Sequence, residues 1–327
     1  MVSEEVTLDR DIALYRSVTF AQSTKRTYAS HKRAYFKFCA AMGYNPVPVS
    51  QTVLCRYAAY LARRLAVSSI RKYLNIIRLL HLEEGFPNPL KENWFLETIL
   101  RGIARKKGMG TTRKLPITPH LLLSIRGRLN LYNPVEAVFW AACLTAFFGF
   151  LRKANLFPPS VKGFDPSRHL CRQDLTLHQW GVTLHIRWSK TIQFGERALE
   201  APLPRLVGHP LCPVAALVHA FTLTLGASLT GPAFVIKVGS QFTPFPPSKF
   251  VSLLRTHLSA LGYNPNLYSG HSFRRGAASW ALRNGLPGET IKILGDWKSD
   301  AYLTYLTLDH QAKLDSISVF AKSLPTT

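Results

Sequence analysis

The sequence predicts a mainly α-helical chain in two domains, with a small antiparallel β-sheet in the second. Three observations carry this expectation. Apolar residues recur at helical spacing through most of residues 10–107. A basic, Gly- and Thr-rich stretch, Gly108-Met109-Gly110-Thr111-Thr112-Arg113-Lys114, then breaks the pattern ahead of Pro116 and Pro119. Beyond it, strand-like alternation is read within residues 175–188. The expected organisation is a helical domain over 1–107, a basic linker over 108–116 and a mixed domain over 117–327.

In the first domain, Ser23-Thr24 precedes a long helical pattern with Tyr28, Tyr35, Phe36 and Phe38, stopped by Gly43 and Pro46. A second pattern runs from Val53 through Leu61 to Leu65. Ser68-Ser69 reads as a cap for a third helix, with Ile70, Tyr73, Leu74, Ile77 and Leu80 on its apolar side. A fourth, Trp94 to Ala104, ends in Arg105-Lys106-Lys107. In the second domain, Thr118-Pro119 starts a helix to about Leu129, and Val135 to Leu151 reads as a buried helix. Leu175 to His178 and Val182 to Trp188 read as strands joined by a turn at Gln179-Trp180-Gly181. Helices are expected to resume after Pro213 and continue to the end.

Charge points to the partner. There are 41 Lys and Arg against 18 Asp and Glu, a formal charge of +23. No acid lies between Asp11 and Glu83, and none from Ala201 to Gly288. A surface shaped only for solubility intersperses both signs. Two long acid-free stretches instead favour a polyanion, nucleic acid first. The acids Glu4, Glu5, Asp9 and Asp11 are wrong for a signal peptide, and the apolar run Phe139 to Leu151 is too short to span a bilayer. Five scattered cysteines without a CxxC pair argue for reduced thiols in an intracellular compartment, not a disulfide frame or zinc site.

The chemistry gathers near the C-terminus. His271 and Arg274, three apart, share a helical face, and the helix N-terminus at Ser269-Gly270 itself attracts phosphate. Arginine grips phosphate with a fixed fork of donors. A downstream tyrosine, Tyr302 or Tyr305, offers a phenol that could attack it. Arg152 follows the most apolar helix in a region poor in acids; it reads either as a helix-end cap or as a phosphate ligand. Lys190 sits at the end of the second strand, either an ordinary turn lysine or a mobile proton donor.

Arg152, Lys190, His271-x-x-Arg274, Trp297 and Tyr305, in this order, resemble the catalytic set of the tyrosine recombinases of the phage-integrase superfamily. The strings Gly-His-Ser-Phe-Arg-Arg-Gly-Ala-Ala-Ser and Leu-Gly-Asp-Trp-Lys-Ser-Asp-Ala-Tyr-Leu-Thr-Tyr are most similar to recombinases of eukaryotic mobile elements of the Crypton, DIRS and Ngaro kind. The resemblance implies a helical core-binding domain and an integrase-like catalytic domain, closing as a clamp on double-stranded DNA at paired recombination sites. It implies assembly to a dimer or tetramer on DNA, nuclear localisation, and no metal, cofactor or ATP.

It also implies roles. Tyr305 is the nucleophile, Arg152 and Arg274 hold the non-bridging oxygens, His271 takes the phenol proton, Lys190 protonates the leaving oxygen and Trp297 packs on the site. Lys25, Arg26, Arg71, Lys72, Arg105, Lys106, Lys107, Arg113, Lys114 and Arg275 are the expected DNA contacts. The segment from Tyr305 through Phe320, with Leu308, Leu314, Ile317 and Val319 in helical spacing, is expected to pack on its own domain or a neighbouring subunit. Two departures stand out. Asn155 occupies a position where many members carry an acid. Nine residues back from Tyr305 leads to Asp296, with Trp297 one nearer.

Overall fold

A computed structural model describes residues 4–108, 113–193 and 196–306, together with 313, 314, 317, 318 and 321. The linker residues Met109 to Thr112 and the tail residues Leu308, Val319 and Phe320 lie outside the described residues. The chain divides into two compact units, Met1–Thr112 and Arg113–Thr327.

The first unit is helical: α1 (Glu4–Val18), α2 (Gln22–Met42), α3 (Gln51–Ala62), α4 (Val67–Glu83) and α5 (Trp94–Lys107). One face of α2 buries Tyr35, Phe38 and Cys39 against Leu54, Tyr57 and Leu61 of α3 and Ile70, Leu74 and Ile77 of α4. These positions recur every three or four residues, so each helix turns a single stripe inward. Tyr57 anchors the cluster, with ring centroids 5.1 Å from Tyr35 and 4.9 Å from Phe38. Local signals stop and start the helices. Gly43 takes φ +67° to end α2, the Ser50 hydroxyl accepts from Val53 N at 3.3 Å, and Asn93 Oδ1 accepts from Leu96 N at 3.0 Å.

One expected cap and one expected helix start are corrected. Helix α2 starts at Gln22 and α4 at Val67, with Ala21 and Ala66 at their N-caps and no side-chain cap at either. Ser23, Thr24, Ser68 and Ser69 therefore lie inside first turns. Burial of Val67 and Ile70 extends α4 N-terminally past the serines, because packing outweighs the modest gain of a cap.

The second unit runs α6 (Pro119–Arg126), α7 (Pro134–Phe148), α8 (Lys153–Leu156), β1 (Leu175–Leu177), β2 (Gly181–Ile186), β3 (Leu199–Pro204), α9 (Pro213–Leu223), β4 (Val235–Val238), β5 (Gln241–Pro244), α10 (Pro247–Ala260), α11 (His271–Arg283) and α12 (Gly288–Leu294), then a short 3-10 helix, Asp300–Thr304. Helix α7 is apolar all round and is the central core helix, packed against α9 and α11. A chain of aromatic contacts, Phe139–Phe250 at 5.5 Å and Phe250–Phe273 at 5.4 Å, joins α7, α10 and α11. No helix among the described residues is long and apolar enough to cross a membrane.

The sheet is antiparallel in the order β1-β2-β3, with Leu177 opposite Val182 and Leu184 opposite Ala201. The turn at residues 178–180 falls where expected, but β2 ends at Ile186 rather than Trp188. Three further strands went unanticipated. β3 carries Pro202 and Pro204, tolerable only because it is an edge strand. β4 and β5 form a separate hairpin inside the stretch expected to be helical, with Val235 opposite Pro244.

Backbone contact fixes α11. Ile117 N donates to Ser272 O at 2.9 Å, and a Cβ added at Gly276 would lie 1.8 Å from the Ile117 carbonyl oxygen. No side-chain adjustment relieves a clash with backbone. Gly276→Ala is expected to destabilise the second unit by about 3 kcal/mol, the upper part of the overpacking range. The urea unfolding midpoint reads this; an unchanged midpoint would show that α11 does not lie against the Ile117 segment.

Candidate active site

Helix α11 supplies two of the expected groups. Its first residue, His271, is solvent-exposed at the mouth of the site, and Arg274 one turn on is 2 % exposed. The Arg274 Nη1 donates to the carbonyl of Phe150. Phe150 follows α7 and has φ +52°, a left-handed conformation costly for a bulky residue. The turn after α7 thus presents a carbonyl to Arg274 and, two residues later, Arg152 to the site. Arg152 is half-buried at the N-cap of the one-turn helix α8. Its backbone N–H donates to Asn155 Oδ1 at 3.0 Å, so the buried Asn155 amide closes this turn.

Trp297 lies against Arg274, the guanidinium carbon 3.6 Å from the centroid of the indole ring. The indole reaches this place because Gly295 has no side chain: a Cβ there would lie 1.6 Å from Trp297 Cζ3. Tyr305 completes the group, its ring 5.4 Å from Trp297 and 5.7 Å from the Arg274 guanidinium. Its backbone is fastened to α11, since Ser279 Oγ donates to Tyr305 O at 3.1 Å and Arg275 Nη2 donates to Thr304 O at 2.9 Å. Tyr302 has different surroundings. It is buried, its hydroxyl 2.9 Å from where a Cβ of Gly288 would stand. Tyr305 is only half-buried.

The electrostatics are those of an anion site. Burial and, next, the charge of Arg152 push the pKa of Arg274 down to about 9, so it stays cationic at neutral pH. His271 is held below the usual imidazole value of 6.5, first by desolvation on its crowded side and then by Arg152, Arg274, Lys153 and Lys190. These cations therefore share one field with His271. Three buried donors in the group, Arg274 Nε and Nη2 and Trp297 Nε1, have no hydrogen-bond partner among the described residues. Unmet buried donors cost stability unless an acceptor arrives. A tetrahedral oxyanion such as phosphate has the charge and the acceptors to satisfy them.

Lys190 is exposed in the connection between β2 and β3, on a tight turn closed by paired backbone bonds between Ser189 and Ile192 at 3.0 and 3.2 Å. Sequence reasoning missed what holds this turn. Thr191 Oγ1 and Arg197 both donate to the carboxylate of Asp296, the residue that was set beside Trp297 only as a question of spacing.

The expected DNA contacts fall into groups. Arg26, Lys72, Arg105, Lys106 and Arg113 are exposed. Others also serve local structure: Arg71 forms a two-pronged pair with Glu97 at 2.7 Å, Lys25 reaches Ser17 O, Lys107 reaches Ala62 O, and Lys114 donates to Asn266 O at 2.5 Å. Arg275 is half-buried and engaged with the Tyr305 segment. In the tail, Leu314 and Ile317 are exposed.

The fold is that of the tyrosine recombinase and integrase catalytic domains, mainly helical with small antiparallel sheets. The Tn1549 transposon integrase in complex with transposon right-end DNA superposes with a TM-score of 0.64 at 14% identity, covering 95% of this chain and 98% of that one. The XerH site-specific recombinase bound to a palindromic difH substrate gives 0.56 at 12% identity over 90% and 79%. A lambda integrase dimer bound to a core site gives 0.56 at 14% over 92% and 94%. In sequence, the chain is 25% identical over 280 residues to an integrase/recombinase xerD homolog of Selenomonas ruminantium, covering 83% of this chain and 77% of the relative. No family model matches. The structural similarities show the fold and the sequence similarity is to an integrase/recombinase; a likeness to the Crypton, DIRS and Ngaro kind is not among them.

Proposed function

We propose that this chain is a site-specific DNA recombinase that cuts and rejoins duplex DNA through a 3′-phosphotyrosine on Tyr305. The observation that carries this reading is the set of unpartnered buried donors on Arg274 and Trp297 beside the Tyr305 ring. Tyr305 Oη attacks the scissile phosphorus as its proton passes to neutral His271. Arg152 and Arg274 hold the non-bridging oxygens, and their charge is worth most as negative charge builds at phosphorus. Lys190 gives its proton to the departing 5′-oxygen. The phosphodiester energy stays in the tyrosyl ester, so attack by a 5′-hydroxyl reverses the step and joins strands.

The basic helical unit is read as the DNA-holding domain, with phosphate contacts dominating affinity. Paired sites held by a dimer or tetramer, mobilisation of a DNA element and action in a nucleus complete the proposal. Its support is the Gly270–Ser279 and Leu294–Tyr305 strings. The test is incubation with a nicked duplex bearing the terminal sequence of the element, whose cleavage releases the short strand. A covalent protein–DNA band is expected. Binding without a band would favour a DNA-binding protein that does not cut, and a supercoiled plasmid relaxed without recombinant products would favour topoisomerase-like action.

The acid limb of the cleavage rate follows from His271. As the base it must be neutral, and its pKa lies below 6.5. The rate is therefore expected to hold through pH 7 and fall only on acidification below that value, as His271 takes up a proton. His271→Gln should remove this limb; a limb that persists in the variant would place the titrating base elsewhere.

A further inference from the structure

The proposed reaction needs Lys190 at the leaving oxygen, yet Lys190 sits exposed in a connection of twelve residues, 187–198, between β2 and β3. Such a segment loses entropy whenever its lysine is held in a reactive pose. What restrains it lies about a hundred residues away in sequence. Asp296 takes φ +52° between Gly295 and Trp297. That conformation aims its carboxylate at the β2–β3 connection, where Thr191 Oγ1 donates to one oxygen and Arg197 Nη2 to the other. The Asp296 side chain is 11% exposed and that of Arg197 40%, so the carboxylate is the shielded end of the pair. Lys298 Nζ adds a third tie to Glu196 Oε1 at 3.3 Å.

Thr191 is also the neighbour of Lys190 on the two-residue turn. Its backbone N–H donates to Ser189 Oγ at 3.1 Å, and the two hydroxyls are 2.9 Å apart. A hold on Thr191 is thus a hold on the Lys190 backbone. The other side of Asp296 is the peptide of Trp297, whose indole covers Arg274. One carboxylate therefore spans the element that carries the proton donor and the element that packs on the phosphate grip.

Resting on the recombinase reading, we propose that Asp296 is a positioning residue: through Thr191 and Arg197 it docks the Lys190 turn onto the Trp297 turn, and so sets the efficiency with which Lys190 protonates the leaving 5′-oxygen. The carboxylate touches neither substrate nor nucleophile. Its contribution is proximity, turning a wandering lysine into one that is in place when the P–O bond breaks.

The experiment removes the demand for a proton. In a duplex with sulfur replacing the bridging 5′-oxygen, the leaving group is a thiolate, which departs without a general acid. Two variants are compared with the parent chain. Asp296→Asn keeps a residue type that tolerates the left-handed backbone. Thr191→Val/Arg197→Gln cuts the dock from the loop side and leaves the Trp297 turn and the negative charge near Arg274 in place. On the ordinary phosphodiester both are expected to cleave about 100-fold more slowly, within the range of general acid catalysis. On the 5′-thio substrate both should cleave within about 3-fold of the parent, as Lys190→Ala should.

Equal losses on both substrates, or no loss on either, would overturn the proposal. Trypsin supplies a readout free of catalysis, because it cuts after Lys190 and Arg197. Faster cutting after Lys190 is expected in both variants, and after Arg197 in Asp296→Asn, which keeps that site; unchanged cutting would show that the turn is not docked. If the parent forms no adduct on either substrate, the recombinase reading fails, and the trypsin result alone then decides whether the dock exists.

Discussion

Arg274→Met is expected to lower the rate of covalent adduct formation by about 1,000-fold, the upper range for removing a donor that holds a reacting oxyanion, without lowering the urea unfolding midpoint. In most buried positions a cation removed from its partner costs stability. Here the balance runs the other way. The side chain is 2 % exposed, and among the described residues only Nη1 of its donors finds an acceptor, the Phe150 carbonyl. Nε and Nη2 are buried with no partner among the described residues, each an unmet donor that costs about 1–3 kcal/mol until an anion is bound. Methionine fills a similar length, removes both and keeps apolar contact with the Trp297 ring. It gives up the bond to Phe150 O and the cation–π contact, gains that Arg274 makes in the free protein. A variant that unfolds more easily yet still forms adduct would mean that Arg274 is a structural prop and that phosphate is held elsewhere.

Much of this architecture was legible in the chain. Four helices of the first unit, the all-apolar α7, the β1–β2 turn and the α11 N-terminus follow from periodicity, from Gly and Pro and from caps such as Thr118 and its neighbour Pro119. What escaped has physical reasons. β3 contains two prolines, which argue against a strand unless it is known to lie at an edge. β4 and β5 are four residues each, too short for alternation to register. The start of α4 is set by which residues find the core, a tertiary effect that no serine reveals.

The candidate site divides in the same way. Arg152, Lys190, His271, Arg274, Trp297 and Tyr305 are chemical types that stand out, and the structure gathers Arg274, Trp297 and Tyr305 by direct contact and sets Arg152, His271 and Lys190 in one electrostatic field. The groups that hold them do not stand out. The carbonyl of Phe150 is one of hundreds, and its role appears only through a positive φ and an arginine 124 residues away. Asp296 meets Thr191 across 105 residues and Arg197 across 99, separations at which spacing says nothing. Asn155 was noticed for the acid it lacks; its part in capping α8 needed coordinates.

The central claim is that Tyr305 forms the covalent bond to DNA. Tyr302 is the natural competitor, three residues earlier on the same segment. Its buried hydroxyl lies close to Gly288, whereas the half-buried Tyr305 ring lies beside the cationic group on Arg274. The most direct measurement traps the adduct on a nicked duplex, digests protein and DNA, and maps the nucleotide-bearing peptide by mass spectrometry, with Tyr305→Phe and Tyr302→Phe in parallel. The modified residue is expected to be Tyr305. No adduct is expected from Tyr305→Phe, a loss of at least about 10,000-fold because no other group replaces an absent nucleophile, while Tyr302→Phe should still form adduct. A nucleotide found on Tyr302, or an adduct that persists in Tyr305→Phe, would contradict this account.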